Sequence, residues 1–113
     1  MSPAGTSAVA WLCVAVAALF EIGWAIGLKR AAASPDATVW SLTVAGMVAS
    51  VVFLGLAVRD LPIGTAYAVW TGAGTAGVFL AGIVFFGESA DLLRILCVGI
   101  IVVGVFGLKL LGA

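Results

Sequence analysis

The stretch "ALFEIGWAIGLKR", residues 18–30, decides the fold. Its one acid, Glu21, lies in an apolar run whose next charges are Lys29 and Arg30. If the segment stopped at Glu21, the apolar residues from Ala8 to Phe20 would fall short of the roughly 20 that a helix needs to cross a bilayer. The span therefore continues to the Lys29–Arg30 boundary, over about residues 8–28. At about 1.5 Å of rise per residue, this puts the carboxyl about 5 Å from the middle of the membrane.

The composition agrees. Of 113 residues, 65% are hydrophobic and 9% charged, against about 25% charged in an ordinary soluble domain. Mean hydropathy is +1.34. The formal net charge is zero, so no basic field exists to draw nucleic acid. Histidine is absent, which removes the usual proton shuttle and the commonest metal ligand. Cys13 and Cys97 form neither a zinc pattern nor a disulfide framework and are read as small packing residues. No cofactor or metal is expected, and no nucleophile–base constellation points to an enzyme. The N-terminal stretch lacks the basic region of a signal peptide.

Breaks in the apolar pattern mark three more spans. In "AAASPDAT", residues 31–38, Ser34 is the expected cap, with Pro35 and Asp36 in the first turn of a span over about 35–58. In "RDLPIG", residues 59–64, Asp60 is the expected cap of a span over about 63–86, with Pro62 in a first turn that tolerates it. "GESAD", residues 87–91, ends that span, and Ser89 is the expected cap of the last, over about 92–111. Four helices satisfy their backbone groups internally, as lipid demands. The expected fold is a single all-α, integral-membrane domain of four transmembrane helices.

An ionisable group near the bilayer centre costs about 2.5–3.5 kcal/mol on insertion scales and usually lines a pathway or site. Glu21 can hold a proton or, once ionised, a cation. Trp24, three residues on, shares its face. On the third span Tyr67, Trp70, Thr71 and Gly74 form one stripe, aromatic at one end and bare backbone at the other. An aromatic wall beside a carboxylate suits an organic cation through charge pairing and cation–π attraction. The pair Gly72 and Gly74 in "WTGAG" reads equally as a hinge or as close helix packing.

"FEIGWAIGLK" (20–29), "LPIGTAYAVWTGAGTAG" (61–77), "FFGES" (85–89) and "GVFGLKLL" (104–111) together resemble the small multidrug resistance transporters, and within them the guanidinium exporters. The resemblance covers nearly the whole chain. It implies a four-helix protomer that pairs as an antiparallel, dual-topology homodimer in the inner membrane, a related second chain being the alternative partner. It further implies proton-coupled export of a small cation, with Glu21 binding proton and substrate in turn. By the same resemblance Trp24, Ser50, Tyr67 and Trp70 line the site, and Gly72 and Gly74 bend the third helix. Trp24 and Lys109 mark the guanidinium branch. The chain departs from the family in about seven residues before the first span, and in a first loop, "RAAASPDATVW" (30–40), that lacks the usual aromatic and glycine-bearing segment.

Guanidinium is planar and rich in N–H donors, a match for carboxylates in forked, charge-assisted pairs. Two copies of Glu21 would share it, with Ser50 and Trp24 steadying the acids. A promiscuous exporter of bulky hydrophobic cations and a noncatalytic helical membrane subunit are the alternative readings.

Orientation is testable from charge alone. Arg59 and Lys109 fall on one face of the membrane, and Lys29, Arg30 and Arg94 on the other. So slight a difference gives almost no positive-inside bias, so the chain is expected to insert both ways. A single cysteine placed in either loop should react with impermeant reagent from both sides of the membrane. Labelling from one side only, in an active sample, would point to a partner chain of opposite orientation.

Overall fold

The computed structural model describes residues 4–111, with side chains from residue 8 onward. It contains four helices: α1 (Ala4–Ala33), α2 (Ala37–Ala57), α3 (Ile63–Phe86) and α4 (Leu92–Leu110). Each is long and apolar enough to cross a membrane. The start of the expected N-terminal extension, residues 1–3, lies outside the described residues, and residues 4–7 already belong to α1.

The ends of the helices differ from expectation in instructive ways. α1 runs past Lys29 and Arg30 to Ala33; long basic side chains can reach the interface from within a helix, so the charges do not end it. The cap of α2 is Asp36, whose carboxylate accepts the Thr38 N–H at 2.9 Å, and not Ser34. Its extended backbone puts the carboxylate within reach of the free N–H groups of the first turn. α3 begins after Pro62 with no side-chain cap, and Asp60 lies in the turn before it. α4 is capped by Asp91, which accepts the Arg94 N–H at 3.0 Å. Ser89, the expected cap, instead donates its hydroxyl to Asp91 at 3.0 Å. The backbone bond first, then the serine bond, holds the Asp91 carboxyl below its ordinary range.

Helix order and short links place the bundle ends. Arg30 lies 5.9 Å from the Phe86 ring centroid, so the C-terminal ends of α1 and α3 share one face. Lys109 lies 4.7 Å from the Trp11 ring centroid, which brings the end of α4 to the start of α1. α1 packs against both α2 and α3, while the backbone of α4 lies alongside α3 alone among the described residues.

The core is built from small side chains. Ala10, Val14 and Ala17 of α1 meet Leu54 and Ala57 of α2 and Ala66 and Val69 of α3, with Leu61 closing the end. Lipid tails are as apolar as leucine, so membrane helices associate through close packing more than through the hydrophobic effect. The large side chains accordingly face outward, Leu42, Val84 and Ile100 among them. None of the residues of α4 is buried.

Glycine contacts show how tight the α1–α2 seam is. A Cβ on Gly27 would overlap Thr43 Oγ1, which is tied to the Val39 carbonyl at 2.8 Å. A Cβ on Gly55 would meet nothing within 4 Å. Gly27→Ala should lower stability by about 1–3 kcal/mol, the usual effect of overpacking. Gly55→Ala should be neutral or stabilising. Thermal unfolding in one detergent checks both.

Candidate functional site

Glu21 sits well inside the span of α1, Ala8–Ala33, with more than two helical turns on either side of it. Its side chain points at α3, where its carboxylate occupies the space a Cβ on Gly74 would take. One turn further, Ile22 fills the space beside Gly77 in the same way. Of the α3 stripe singled out in the sequence, Gly74 therefore meets Glu21, while Thr71 lines a different cavity between α3 and α4.

Glu21 Oε1 is buried and has no hydrogen-bond partner among the described residues. Leaving a buried polar atom unpaired is unfavourable, and orphans of this kind call for a functional explanation. The acid opens into a cleft of about 320 Å³ lined also by Trp24, Ala25, Gly74, Thr75, Val78 and Phe79. Thr75, Val78 and Phe79 were missed by sequence reasoning; their i, i+3 and i+4 spacing continues the Gly74 face and could have revealed them.

The other expected residues form a second cluster. The Ser50 hydroxyl is fully buried and donates to the Ala17 carbonyl at 2.7 Å. It accepts the Trp70 indole N–H at 3.0 Å. Tyr67 stands edge-on to Trp70, with ring centroids 5.3 Å apart at 66°. Neither Ser50, Tyr67 nor Trp70 lines the Glu21 cleft. Both bonding partners of the Ser50 hydroxyl are thus groups other than the acid. Its action is on the backbone: Ala17 lies one helical turn before Glu21, so Ser50 pins that turn to α2 and, through Trp70, to α3.

Trp24 lies beside Glu21 in the cleft and packs close to Gly46 of α2, where an added Cβ would come within 3.2 Å of its own Cβ. Gly72 is at the α3–α4 contact, where a Cβ would overlap Val105. Both Gly72 and Gly74 thus sit at close helix approaches, within an α3 that is helical without interruption. Lys109 lies far from this cleft, over Trp11.

A membrane-embedded acid facing glycine on a neighbouring helix is a specific arrangement. The family model described as Small Multidrug Resistance protein matches residues 9–110. This chain belongs to the small multidrug resistance family. As a family member with four apolar helices it is a multi-pass membrane protein, and in a bacterium that membrane is the inner one. Among similar proteins is a guanidinium exporter of Yersinia pseudotuberculosis, 49% identical over 102 residues, 90% of this chain and 98% of the relative. Guanidinium exporters of Citrobacter freundii and Escherichia coli strain K12 are 46% and 43% identical, each over 90% of this chain and 97% of the relative.

The hydrogen-bonded chain through Ser50 of this small multidrug resistance protein makes a clean test. Ser50→Ala leaves the Trp70 N–H and the Ala17 carbonyl without that partner and should destabilise by about 1–3 kcal/mol. Trp70→Phe should do less harm in a Ser50→Ala background than alone, since the two share one interaction. A double-mutant cycle on unfolding in detergent, followed by loss of helical circular dichroism, checks it.

Proposed function

We propose that this protein exports guanidinium or a small guanidinyl cation in exchange for protons, with Glu21 as the group that both compete for. The observation that carries the reading is the orphaned Glu21 oxygen well inside its span. A half-buried carboxylate with no internal partner for its buried oxygen is free to take one from outside, either a proton or a cation. The guanidinium exporters among its relatives support the choice of cargo, as does the planar fork that guanidinium offers to carboxylates.

Glu21 and Trp24 contact the cargo in this reading. The Ser50–Trp70–Tyr67 cluster acts one step back, fixing the turn of α1 that carries the acid and holding α2 and α3 in register with it. One carboxylate satisfies only part of a guanidinium's donors, so a second protomer in antiparallel orientation supplies the other acid. The two halves of such a dimer trade conformations, opening the shared site to one side of the membrane at a time. Protons from the acidic side neutralise the acids and release the cation. A cation loaded on the other side displaces them. Binding competition together with alternating access produces exchange, and no cofactor is required.

Glu21→Gln keeps the size of the side chain and removes the titration. Adding guanidinium to the purified, weakly buffered protein should release protons from wild type and none from the variant, with both remaining folded and dimeric. Because the cation pairs with the ionised acid, its apparent affinity should rise with pH and level off once Glu21 is fully ionised. Cation-driven proton release of wild-type size from Glu21→Gln would overturn the mechanism.

A further inference from the structure

The cleft that holds Glu21 does not end at the bilayer centre. A second cavity of about 190 Å³ shares Ala25 and Val78 with it. The two make one furrow between α1 and α3, and at its outer end stand Lys29 and Glu88. Lys29 is two helical turns beyond Glu21 on α1, about 12 Å at 1.5 Å per residue.

Glu88 is held there by three features of the chain. Gly87 takes a left-handed backbone, with φ 63°, which turns the chain back at the end of α3. The Glu88 N–H then bonds the Gly82 carbonyl at 3.1 Å. The Glu88 carboxylate folds onto Gly82, a buried residue, and fills the space that a Cβ there would need. Its side chain lies along the furrow, beside the C-terminal end of α3, whose free carbonyls carry partial negative charge. Of the neighbouring cations, Arg30 sits over Phe86, and Lys29 lines the wall across the furrow on α1.

We propose that Glu88 is an outer capture carboxylate, which draws the cargo cation into the furrow mouth in competition with Lys29 and passes it inward to Glu21. The inference rests on the cation-exchange reading above and adds a residue to it. In an antiparallel dimer each face of the membrane carries one such mouth, so loading and release meet the same group. Gly82 is the positioning residue, since it provides the seat that aims the carboxylate into the furrow.

The test is guanidinium transport into proteoliposomes, with initial rates measured against concentration at low and at high ionic strength. Glu88→Gln should raise KM about fivefold at low salt, the effect of one nearby charge in water, with kcat unchanged. High salt should erase most of the difference by screening. Gly82→Ala retains the charge but displaces the carboxylate from its seat, and should reproduce the same KM shift. Glu88→Gln added to Gly82→Ala should then change little. Cation-driven proton release at saturating guanidinium should stay at the wild-type level in both variants, as a group outside the exchange site requires. An unchanged KM in Glu88→Gln at low salt, or loss of proton release at saturation, would overturn the role of Glu88 and leave Glu21 untouched. A wild type that releases no protons on binding guanidinium would overturn the exchange reading itself.

Discussion

The close approach of α1 and α3 at Gly74 is the constraint on which the rest depends. A carboxylate sits where a side chain on α3 would otherwise be, so the acid is surrounded by helix without being bonded to it. A larger residue at Gly74 would expel the carboxylate. A hydrogen-bond donor in its place would satisfy it. A glycine does neither, and the buried oxygen is left with an unfilled valence for hydrogen bonding. In lipid that is a standing free-energy penalty, and the remaining contacts hold the arrangement in place.

Those contacts are made by small residues and by one polar chain. Ala10, Ala17, Ala57 and Ala66 are nearly or wholly buried and let the three helices come close enough for dispersion to add up. Ser50 then links all three, by donating to α1 and accepting from Trp70 of α3. The stacked rings of Phe20 and Phe53, with centroids 5.8 Å apart, tie α1 to α2 on either side of the same turn. The acid is therefore mounted on the most tightly packed part of the bundle, while its own surroundings are open. α4 has no fully buried residue; it leans on α3, packs Val105 and Leu108 against the edge of the core and keeps a face of large apolar side chains outward.

The residues separate into two layers by this geometry. Glu21, Trp24, Gly74 and Phe79 face the cleft, and changes there alter what can occupy it. Ser50, Tyr67 and Trp70 stand behind, where changes alter how firmly the cleft is held. A substitution in the second layer can resemble one in the first if transport is the only readout. Stability distinguishes them.

The fold class and the place of Glu21 inside a helix that continues past it were legible in the sequence, because both follow from length and hydropathy along a single helix. An apolar run too short to cross without Glu21 leaves no choice about where the acid goes. The stripe containing Gly74 was legible for the same reason, since spacing of three and four residues defines a face without knowledge of its neighbour. The caps were less so: Asp36 and Asp91 displaced Ser34 and Ser89 as caps because a one- or two-residue shift in helix start changes which side chain reaches the free N–H groups. Only the tertiary structure showed that Glu21 lies against Gly74, that the Ser50 hydroxyl is taken by Ala17 and Trp70, and that Glu88 folds back onto Gly82. Each joins residues on different helices or across a turn. Helical periodicity names the face a residue occupies, but which face of a second helix comes to meet it is settled by the packing of the bundle.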